Sequence, residues 1–240
     1  MRSVTCNTPP SKHLEEKMQN TIEIKTPRLI LRRFTEKDVQ AFFAIMNDKD
    51  VNTYLPFFPL QTIEEARYFL QENYFQHYAS PIGFRYAVCL KSDNIPIGYV
   101  NIADNDSHDL GYALKLEFWH KGIITEACKA VVEQVEKSDI PYITATHDVN
   151  NARSGAVMKN IGMLYKYSYK EQWQPKNILV TFRMYQLNFD NRSTFVYNKY
   201  WDMYHDHFIE KTCSVKNNQC IVCHEYKIKF YCAISLLFRS

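Results

Sequence analysis

The sequence predicts an α/β (α+β) domain, a three-layer sandwich in which helices flank a mixed central sheet. Apolar periodicity gives, in chain order, one strand, two helices, three strands, a helix, a strand, a helix and two strands. In addition, residues 109–130 (DLGYALKLEFWHKGIITEACKA) pass directly from a strand pattern through a glycine turn into a helix pattern. Elements that alternate in this way bury their apolar faces by packing in layers around one core.

The first strand and the two helices after it are predicted from alternation and capping residues. Residues 22–34 alternate as a strand, and Thr35 followed by acids starts a helix that ends near Asn47. Thr62 opens a second helix with a capping box. The loop between them, residues 54–59 (YLPFFP), is aromatic and stiffened by proline. It is either a packed connector or part of a substrate-lining surface.

Five further strands are predicted outside the organising stretch of residues 109–130. They cover residues 84–90, 97–103, 142–146, 164–173 and 178–187. Polar turns of the type found in hairpins join the first pair and the last pair.

Residues 109–130 contain a candidate phosphate cradle. The strand alternation of residues 110–117 leads to the turn His120-Lys121-Gly122, and a helix follows. A helix start leaves backbone N–H groups unpaired, glycine lets an anion approach, and Lys121 adds a positive charge. The alternative is an ordinary strand-to-helix connection in which Gly122 serves only the turn.

The chain divides into four segments by composition. Residues 1–20 read as a flexible leader, and residues 21–190 hold the patterned domain. Residues 191–211 form an aromatic C-terminal extension. Residues 212–240 are a tail that holds four of the seven cysteines, and its structure is not predicted.

Composition argues against several classes of function. A net charge of +3 and a pI near 8.4 are too mild to indicate a nucleic-acid partner. No signal peptide is visible at the start, and the apolar stretch 231–238 is too short to span a membrane. Cys89 and Cys128 fall in apolar elements, as reduced buried thiols do. We therefore expect a cytoplasmic protein that binds neither nucleic acid nor membranes.

The tail contains a spacing that resembles a cofactor site. Residues 220–224 (CIVCH) match the pattern of covalent haem attachment, and with Cys213 they suggest zinc. Haem attachment needs export, and the zinc interpretation lacks paired ligand spacing. A loosely packed appendage is the simpler interpretation, and no metal is predicted.

Three motifs in register resemble the GNAT acetyltransferase superfamily, and most closely its ribosomal-protein N-terminal acetyltransferase branch. They are TPRLILR at residues 26–32, LGYALKLEFWHKGIITEA at residues 110–127, and NARSGAVMKNIGM at residues 151–163. The likeness runs from about residue 22 to residue 189.

The resemblance implies a fold with a splayed sheet and acetyl-CoA as co-substrate. The strand residues Tyr112, Ala113 and Leu114 would pair with pantetheine through their backbone. The pyrophosphate would lie on the amides of the turn and helix start, namely His120, Lys121, Gly122, Ile123, Ile124 and Thr125. Asn151, which also reads as a helix cap, would contact CoA. Ser154 would protonate the departing thiolate.

Acetyl transfer to an amine also needs a base that takes up a proton. Asp109 corresponds in place to an acid that is common before this strand in the family, so it ranks first, and Glu117 ranks second. The alternative for each acid is an exposed charge at a strand end. His147 is expected to be a surface histidine rather than the base.

The predicted function is transfer of an acetyl group from acetyl-CoA to a primary amine by direct attack. The amine is either a protein N-terminus or a small molecule, and the protein is a monomer or a homodimer. The alternative is a CoA-binding module with little turnover, because Ile124 stands where the family has a small residue and narrows the approach. The aromatic residues between 197 and 208 could also mediate dimerisation.

Overall fold

The computed structural model describes residues 20–189 and 194–211, together with the backbone of residues 215–216 and 219–220. The predicted leader over residues 1–19 and the cysteines of the tail lie outside the described side chains. Asn20, assigned to the leader, is buried and donates hydrogen bonds to the His77 and Ser80 carbonyls. The folded domain therefore begins at residue 20 or earlier.

The elements follow the predicted order. The first half contains β1 (Ile24–Lys25), β2 (Leu29–Arg32), α1 (Val39–Met46), α2 (Lys49–Asn52), α3 (Ile63–Leu70), β3 (Phe84–Leu90), β4 (Pro96–Ile102) and β5 (Leu110–Leu114). The second half contains α4 (Ile123–Val135), β6 (Tyr142–Asp148), α5 (Ala152–Asn160), β7 (Leu164–Trp173), β8 (Ile178–Asn188), α6 (Lys199–Met203), β9 (His207–Phe208), β10 (Val215–Lys216) and β11 (Gln219–Cys220). The short helix α2 is one element that the sequence did not predict.

Strands β1 to β9 form two antiparallel sheets that meet at one point, and β10 pairs separately with β11. The first has the order β1-β2-β3-β4-β5, and the second has the order β6-β8-β7-β9. Between β5 and β6, within the described residues, the pairing is a single parallel bridge between Asp109 and Thr144. The central sheet is therefore mixed and splayed as predicted, because β5 and β6 separate beyond this bridge.

Helices cover both faces of the first sheet. Leu110 and Leu114 of β5 pack into a core with α4, whereas Ala113, on the opposite face, packs into a core with α1 and α3. This alternation places a helix layer on each side of β5. The three-layer prediction is confirmed.

The three predicted helix starts agree with the structure. Thr62 Oγ1 accepts a hydrogen bond from the Glu65 amide at 3.1 Å, and Asn151 Oδ1 accepts one from the Ser154 amide at 3.3 Å. Thr35 is the N-cap of a 3-10 turn, residues 36–38, that runs directly into α1, and its amide donates to the Asp38 carboxylate at 2.7 Å.

The strand of the organising stretch is shorter than its alternation predicts. It ends at Leu114, and residues 116–118 form a 3-10 turn that exposes Leu116. Trp119 explains the change, because its indole Nε1 donates to the Leu114 carbonyl at 2.7 Å and folds the chain back. The turn brings residues 120–122 to the start of α4.

The aromatic extension packs on the second sheet. Strand β9 pairs with β7, and Tyr197 is buried with Tyr167 and Tyr169 in a third core. Partly buried rings of Tyr200 and other extension residues pack against this core. Residues 194–211 thus cover a face of β7 and β8 that would otherwise be exposed.

Two further predictions concern thiols and membranes. Cys89 and Cys128 are buried and free, and burial raises the pKa of Cys89 to about 12. In the part of the chain that the structure describes, no helix combines the length and apolarity needed to cross a bilayer.

Two truncations should show that the extension, but not the tail, contributes to the stability of the domain. Removing residues 212–240 should change the melting temperature by less than about 2 °C, because residues of the described ranges 20–189 and 194–211 already bury the large side chains of the three cores. Ending the chain at residue 189 should lower it by more than about 10 °C, because Tyr167 and Tyr169 lose their cover. Thermal unfolding followed by circular dichroism measures both. Aggregation of the chain that lacks residues 212–240 would contradict this assignment of the tail.

Candidate active site

A cavity of about 780 Å³ opens where β5 and β6 separate. One part, which we call the cradle lobe, is lined by residues 118–120 and 122–125 and by Asn151 and Arg153. The other part, the aromatic lobe, is lined by residues 54–57, by Asp109 and Gly111, and by Tyr169, Glu171, Trp173, Phe182, Tyr200 and Tyr204. One cavity therefore joins the N-terminus of α4 to the faces of both sheets.

The backbone at the start of α4 is shaped to admit an anion. Gly122 is the N-cap residue with φ +68°, and His120 also has a positive φ of +59°. A Cβ at Gly122 would meet only Arg28 Nη2, at 3.7 Å, so the positive φ rather than crowding favours glycine here. Because the first amides of this 13-residue helix have no partner within the helix, they are available to a phosphate.

The predicted cradle residues are brought together with one exception. His120, Gly122, Ile123, Ile124 and Thr125 line the cavity. Lys121 does not line it, and its ammonium lies over the Phe118 ring at 5.5 Å. Ile124 packs against the core beneath α4 as well as lining the cavity.

Arg28 is a cation beside the cradle that the sequence analysis missed. Its Nε donates to Glu126 Oε2 at 2.7 Å, and its Nη1 donates to the Lys121 carbonyl at 2.8 Å. Thr26 Oγ1 donates to the same carboxylate at 2.6 Å. Burial raises the pKa of the Glu126 carboxyl group, but these hydrogen bonds outweigh that effect and lower the pKa below its ordinary value. Arg28 therefore holds the turn before α4 and adds positive charge to it.

A second cation borders the cradle lobe at the start of α5. The Arg153 guanidinium stacks on the Trp119 ring at 4.6 Å, and both residues line the cavity. Asn151 lines the cavity next to them while its carbonyl oxygen caps α5.

Tyr112 and Ser154 face each other across the cavity. The Tyr112 hydroxyl lies 2.8 Å from Ser154 Oγ and 3.0 Å from the Ser154 carbonyl oxygen. Burial raises the pKa of Tyr112, so its hydroxyl keeps its proton at neutral pH. The predicted backbone role of Tyr112, Ala113 and Leu114 is compatible with their place on β5, and all three line the cavity. The structure adds a side-chain hydroxyl pair to this site.

Asp109 lies at the point where the two sheets separate. Thr144 Oγ1 lies 2.8 Å from the Ser107 carbonyl and 3.3 Å from Asp109 Oδ1. Burial raises the pKa of Asp109 to about 7, and the contact with Thr144 opposes this shift without cancelling it. A carboxyl group with this pKa can exchange a proton near neutral pH.

Two other candidates for proton transfer lie differently from the prediction. Glu117 is exposed on the turn of residues 116–118 and does not line the cavity. The expectation that His147 is a surface histidine is wrong, because its residue is 4% exposed. A Cβ at Gly155 would lie 2.6 Å from His147 Nε2, so glycine there makes room for the ring. Burial lowers the pKa of His147, which keeps the ring neutral.

The aromatic loop of residues 54–57 lines the cavity and also packs in the core. Leu55 and Phe57 contact the core of α1 and α3, and Tyr54 OH donates to the Asn150 carbonyl at 3.4 Å. The loop is therefore both a packed connector and a cavity wall. Within the described residues, no group of three His, Cys, Asp or Glu is placed to hold a metal ion.

The charges of the cavity are divided between its two lobes. The cradle lobe has the α4 amides and Arg153, with Arg28, paired to Glu126, beside them. The aromatic lobe has the carboxyl groups of Asp109 and Glu171, and Asp50 and Asp148 also line the cavity. An anionic group is favoured at one end, and a cationic group is favoured at the other.

Comparison with known proteins gives one family. Residues 28–164 match the family model described as Acetyltransferase (GNAT) domain. The uncharacterised N-acetyltransferase YnaD of Bacillus subtilis (strain 168) is 27% identical over 154 residues, which cover 62% of this chain and 87% of that protein.

Solved structures agree on the fold. An acetyltransferase of the GNAT family from Bacillus anthracis is similar with a TM-score of 0.61 and 25% identity, covering 70% of this chain and 99% of that one. RimL, a ribosomal L7/L12 alpha-N-protein acetyltransferase in complex with coenzyme A, has a TM-score of 0.62 at 20% identity and covers 70% and 98%. MccE, a microcin C7 self-immunity acetyltransferase in complex with acetyl-CoA and AMP, has a TM-score of 0.59 at 16% identity and covers 68% and 93%.

The raised pKa of Asp109 makes stability depend on pH. A carboxyl group whose pKa is higher in the folded than in the unfolded state costs stability as pH rises from about 4 to about 7. Asp109→Asn removes that cost, so it should raise the melting temperature at pH 8 by about 4 °C, and by less at pH 5. Calorimetric melting at both pH values measures this. An equal shift at the two values would show that Asp109 ionises normally.

Proposed function

Because this chain belongs to the GNAT acetyltransferase family, we propose that it transfers an acetyl group from acetyl-CoA to a primary amine by direct attack. The observation that carries the proposal is the single cavity, which has an anion-binding helix start in one lobe and a proton-accepting carboxyl group in the other. These are the two requirements of this reaction: a fixed acyl donor and a deprotonated amine.

The residues present fit the co-substrate. Gly122 leaves the α4 amides open to a pyrophosphate, while Arg153 supplies positive charge and Arg28, paired with Glu126, lies beside the turn. The amides of residues 120–125 and the Asn151 side chain are the proposed phosphate and CoA contacts. Acetyl-CoA supplies the acetyl group as a thioester.

Asp109 is the proposed base. The amine arrives as an ammonium ion, whose ordinary pKa is about 10. The Asp109 carboxylate accepts one of its protons, and the free nitrogen then forms the new C–N bond while the C–S bond breaks. Glu117, exposed outside the cavity, is not proposed for this role.

Ser154 and Tyr112 together are the proposed source of the proton for the departing sulfur. If the Tyr112 hydroxyl donates to the Ser154 carbonyl, the Ser154 hydroxyl is free to donate to Tyr112 or to the thiolate. The amine nitrogen loses its second proton as the amide forms, so the overall products are the amide, the thiol and one proton.

A CoA-binding module with little turnover is the second candidate. Ile124 lines the cavity beside the cradle, which is the observation that favours it. The acceptor class, a protein N-terminus or a small amine, is a separate question that the shape of the aromatic lobe addresses.

Calorimetric titration with acetyl-CoA tests the proposal. We expect micromolar binding, also seen with CoA and absent with a nicotinamide dinucleotide. Asp109→Asn should bind acetyl-CoA equally well but turn over at least about 100-fold more slowly with an amine, as measured by thiol release. Binding without thiol release from any amine would favour the second candidate. No binding at millimolar acetyl-CoA would contradict both.

The hydroxyl pair gives a separate prediction. Ser154→Ala should lower kcat about tenfold with unchanged acetyl-CoA affinity, because Tyr112 remains as a weaker donor. Tyr112→Phe should lower kcat less, and the double variant should lose more than either one. Equal loss of affinity and of kcat in Ser154→Ala would assign Ser154 to co-substrate binding instead.

A further inference from the structure

The aromatic lobe has a wall built by one strand. Tyr169, Glu171 and Trp173 occupy alternate positions of β7, so their side chains lie on the same face of the sheet, and all three line the cavity. Phe182 of β8 is paired with Tyr169 and its ring centroid lies 5.6 Å from that of Tyr169. The wall is therefore apolar, with one carboxyl group in its middle.

The C-terminal extension completes this wall. Tyr200 and Tyr204 both stack on Tyr169, with ring centroids 5.2 Å and 4.8 Å away and interplanar angles of 19° and 9°. The Tyr204 hydroxyl also hydrogen-bonds to the Glu171 carboxyl group, and that of Tyr200 hydrogen-bonds to Ser107. These tyrosines lie beyond residues 28–164, so this wall is a feature of the present chain outside its family match.

The wall favours a cation. The faces of the rings carry negative potential, and Glu171 adds a carboxyl group that Tyr204 partly stabilises in its ionised form. Burial raises the pKa of the Glu171 carboxyl group because it disfavours the charged form. A cation beside the group would stabilise that charged form. Within the described residues, the lining of the aromatic lobe includes no Lys or Arg. The nearby Lys176, 5.5 Å from the Trp173 ring, is directed to backbone carbonyls.

The lobe is covered on the side of α2. The Lys176 ammonium, on the turn between β7 and β8, donates to the Asn52 carbonyl at 2.6 Å and to the Thr53 carbonyl at 3.2 Å. This contact ties the β7–β8 hairpin to the end of α2, next to residues 54–57 that line the aromatic lobe. Such a covered lobe suits a small molecule better than the N-terminus of a folded protein.

Two carboxyl groups at different places in the lobe define two ends for the ligand. Asp109 directly precedes β5 of the first sheet and Glu171 lies on β7 of the second, and both carboxyl groups line the cavity. Two carboxyl groups in one lobe can bind the two cationic nitrogens of one short amine.

We propose that the acceptor is a short diamine, a primary amine whose second cationic nitrogen binds Glu171 while its carbon chain lies on the tyrosine wall. The reacting nitrogen lies at Asp109, and the acetyl transfer is the reaction already written. This inference rests on the proposed function and adds the class of acceptor. Glu171 here is a binding residue that distinguishes a diamine from a monoamine.

The test compares two amines of equal chain length. In thiol-release assays with acetyl-CoA, kcat/KM for 1,4-diaminobutane should exceed that for 1-aminobutane at least about tenfold, because the second ammonium gains a charged contact. A lysine-free hexapeptide with a free N-terminus should be a poor acceptor. A higher kcat/KM for the peptide, or equal values for the two amines, would overturn the proposal.

Substitution of Glu171 tests whether its carboxyl group binds the second nitrogen of the diamine. Glu171→Gln should lower kcat/KM for 1,4-diaminobutane about tenfold and change that for 1-aminobutane less than about twofold, with acetyl-CoA affinity unchanged. Glu133→Gln, an exposed charge on α4 outside the cavity, is the matched control and should change neither value. A parallel loss for both amines in Glu171→Gln would mean that Glu171 supports the lobe rather than binds the second nitrogen.

Binding measured without turnover separates this inference from the proposed function. Calorimetric titration of 1,4-diaminobutane into the protein saturated with CoA should show binding that Glu171→Gln weakens. If this binding occurs but no amine is acetylated, the diamine-binding site stands, whereas the transferase proposal and the acceptor role both fail. If another amine is acetylated and 1,4-diaminobutane neither binds nor reacts, the transferase proposal stands and the diamine inference fails.

Discussion

The contact between Asp109 and Thr144 is the constraint on which the site depends. It is where β5 and β6 are still in parallel register, and beyond it each strand pairs only within its own sheet in the described residues. A continuous sheet would leave no room between these strands for a ligand. The same contact holds Asp109 in a place where burial raises its pKa, so the geometry of the opening and the chemistry of the carboxyl group have a common origin.

The cavity also separates two kinds of recognition. Its cradle lobe is made largely of backbone amides at a helix start, which any sequence with the right turn can offer. Its aromatic lobe is made of side chains from β7, β8 and the extension, which depend on the particular sequence. Under the proposed function, general backbone geometry would bind the acyl donor, and residues specific to this chain would select the acceptor.

Local chemistry was enough to predict much of the fold. Thr62 and Asn151 cap helices as their side chains suggest, and Gly162 ends α5 with a positive φ of +91°. The glycine turn at Gly122 and its anion-binding geometry follow from a short stretch of sequence. Alternation failed at Leu116 because the Trp119 side chain, not the pattern, decides where β5 ends.

The parts that could not be predicted are contacts between distant residues. Arg28 meets Glu126 across 98 positions of sequence, and nothing near either residue indicates the other. Glu171 acquires its role from Tyr204 of an extension whose structure the sequence left open. His147 is buried because Gly155 makes room for it, which is a packing fact rather than a pattern.

The division into two sheets also has a consequence for how the chain folds. The pairs β1–β2, β3–β4, β4–β5 and β7–β8 are joined by short connections and can form early from local contacts, whereas β2–β3, β6–β8 and β7–β9 pair strands far apart in the chain. The bridge between Asp109 and Thr144 also closes a long loop, which contains the whole of α4. We expect the two sheets to dock late, so the cavity would be among the last parts of the molecule to assemble and the first to be lost on partial unfolding.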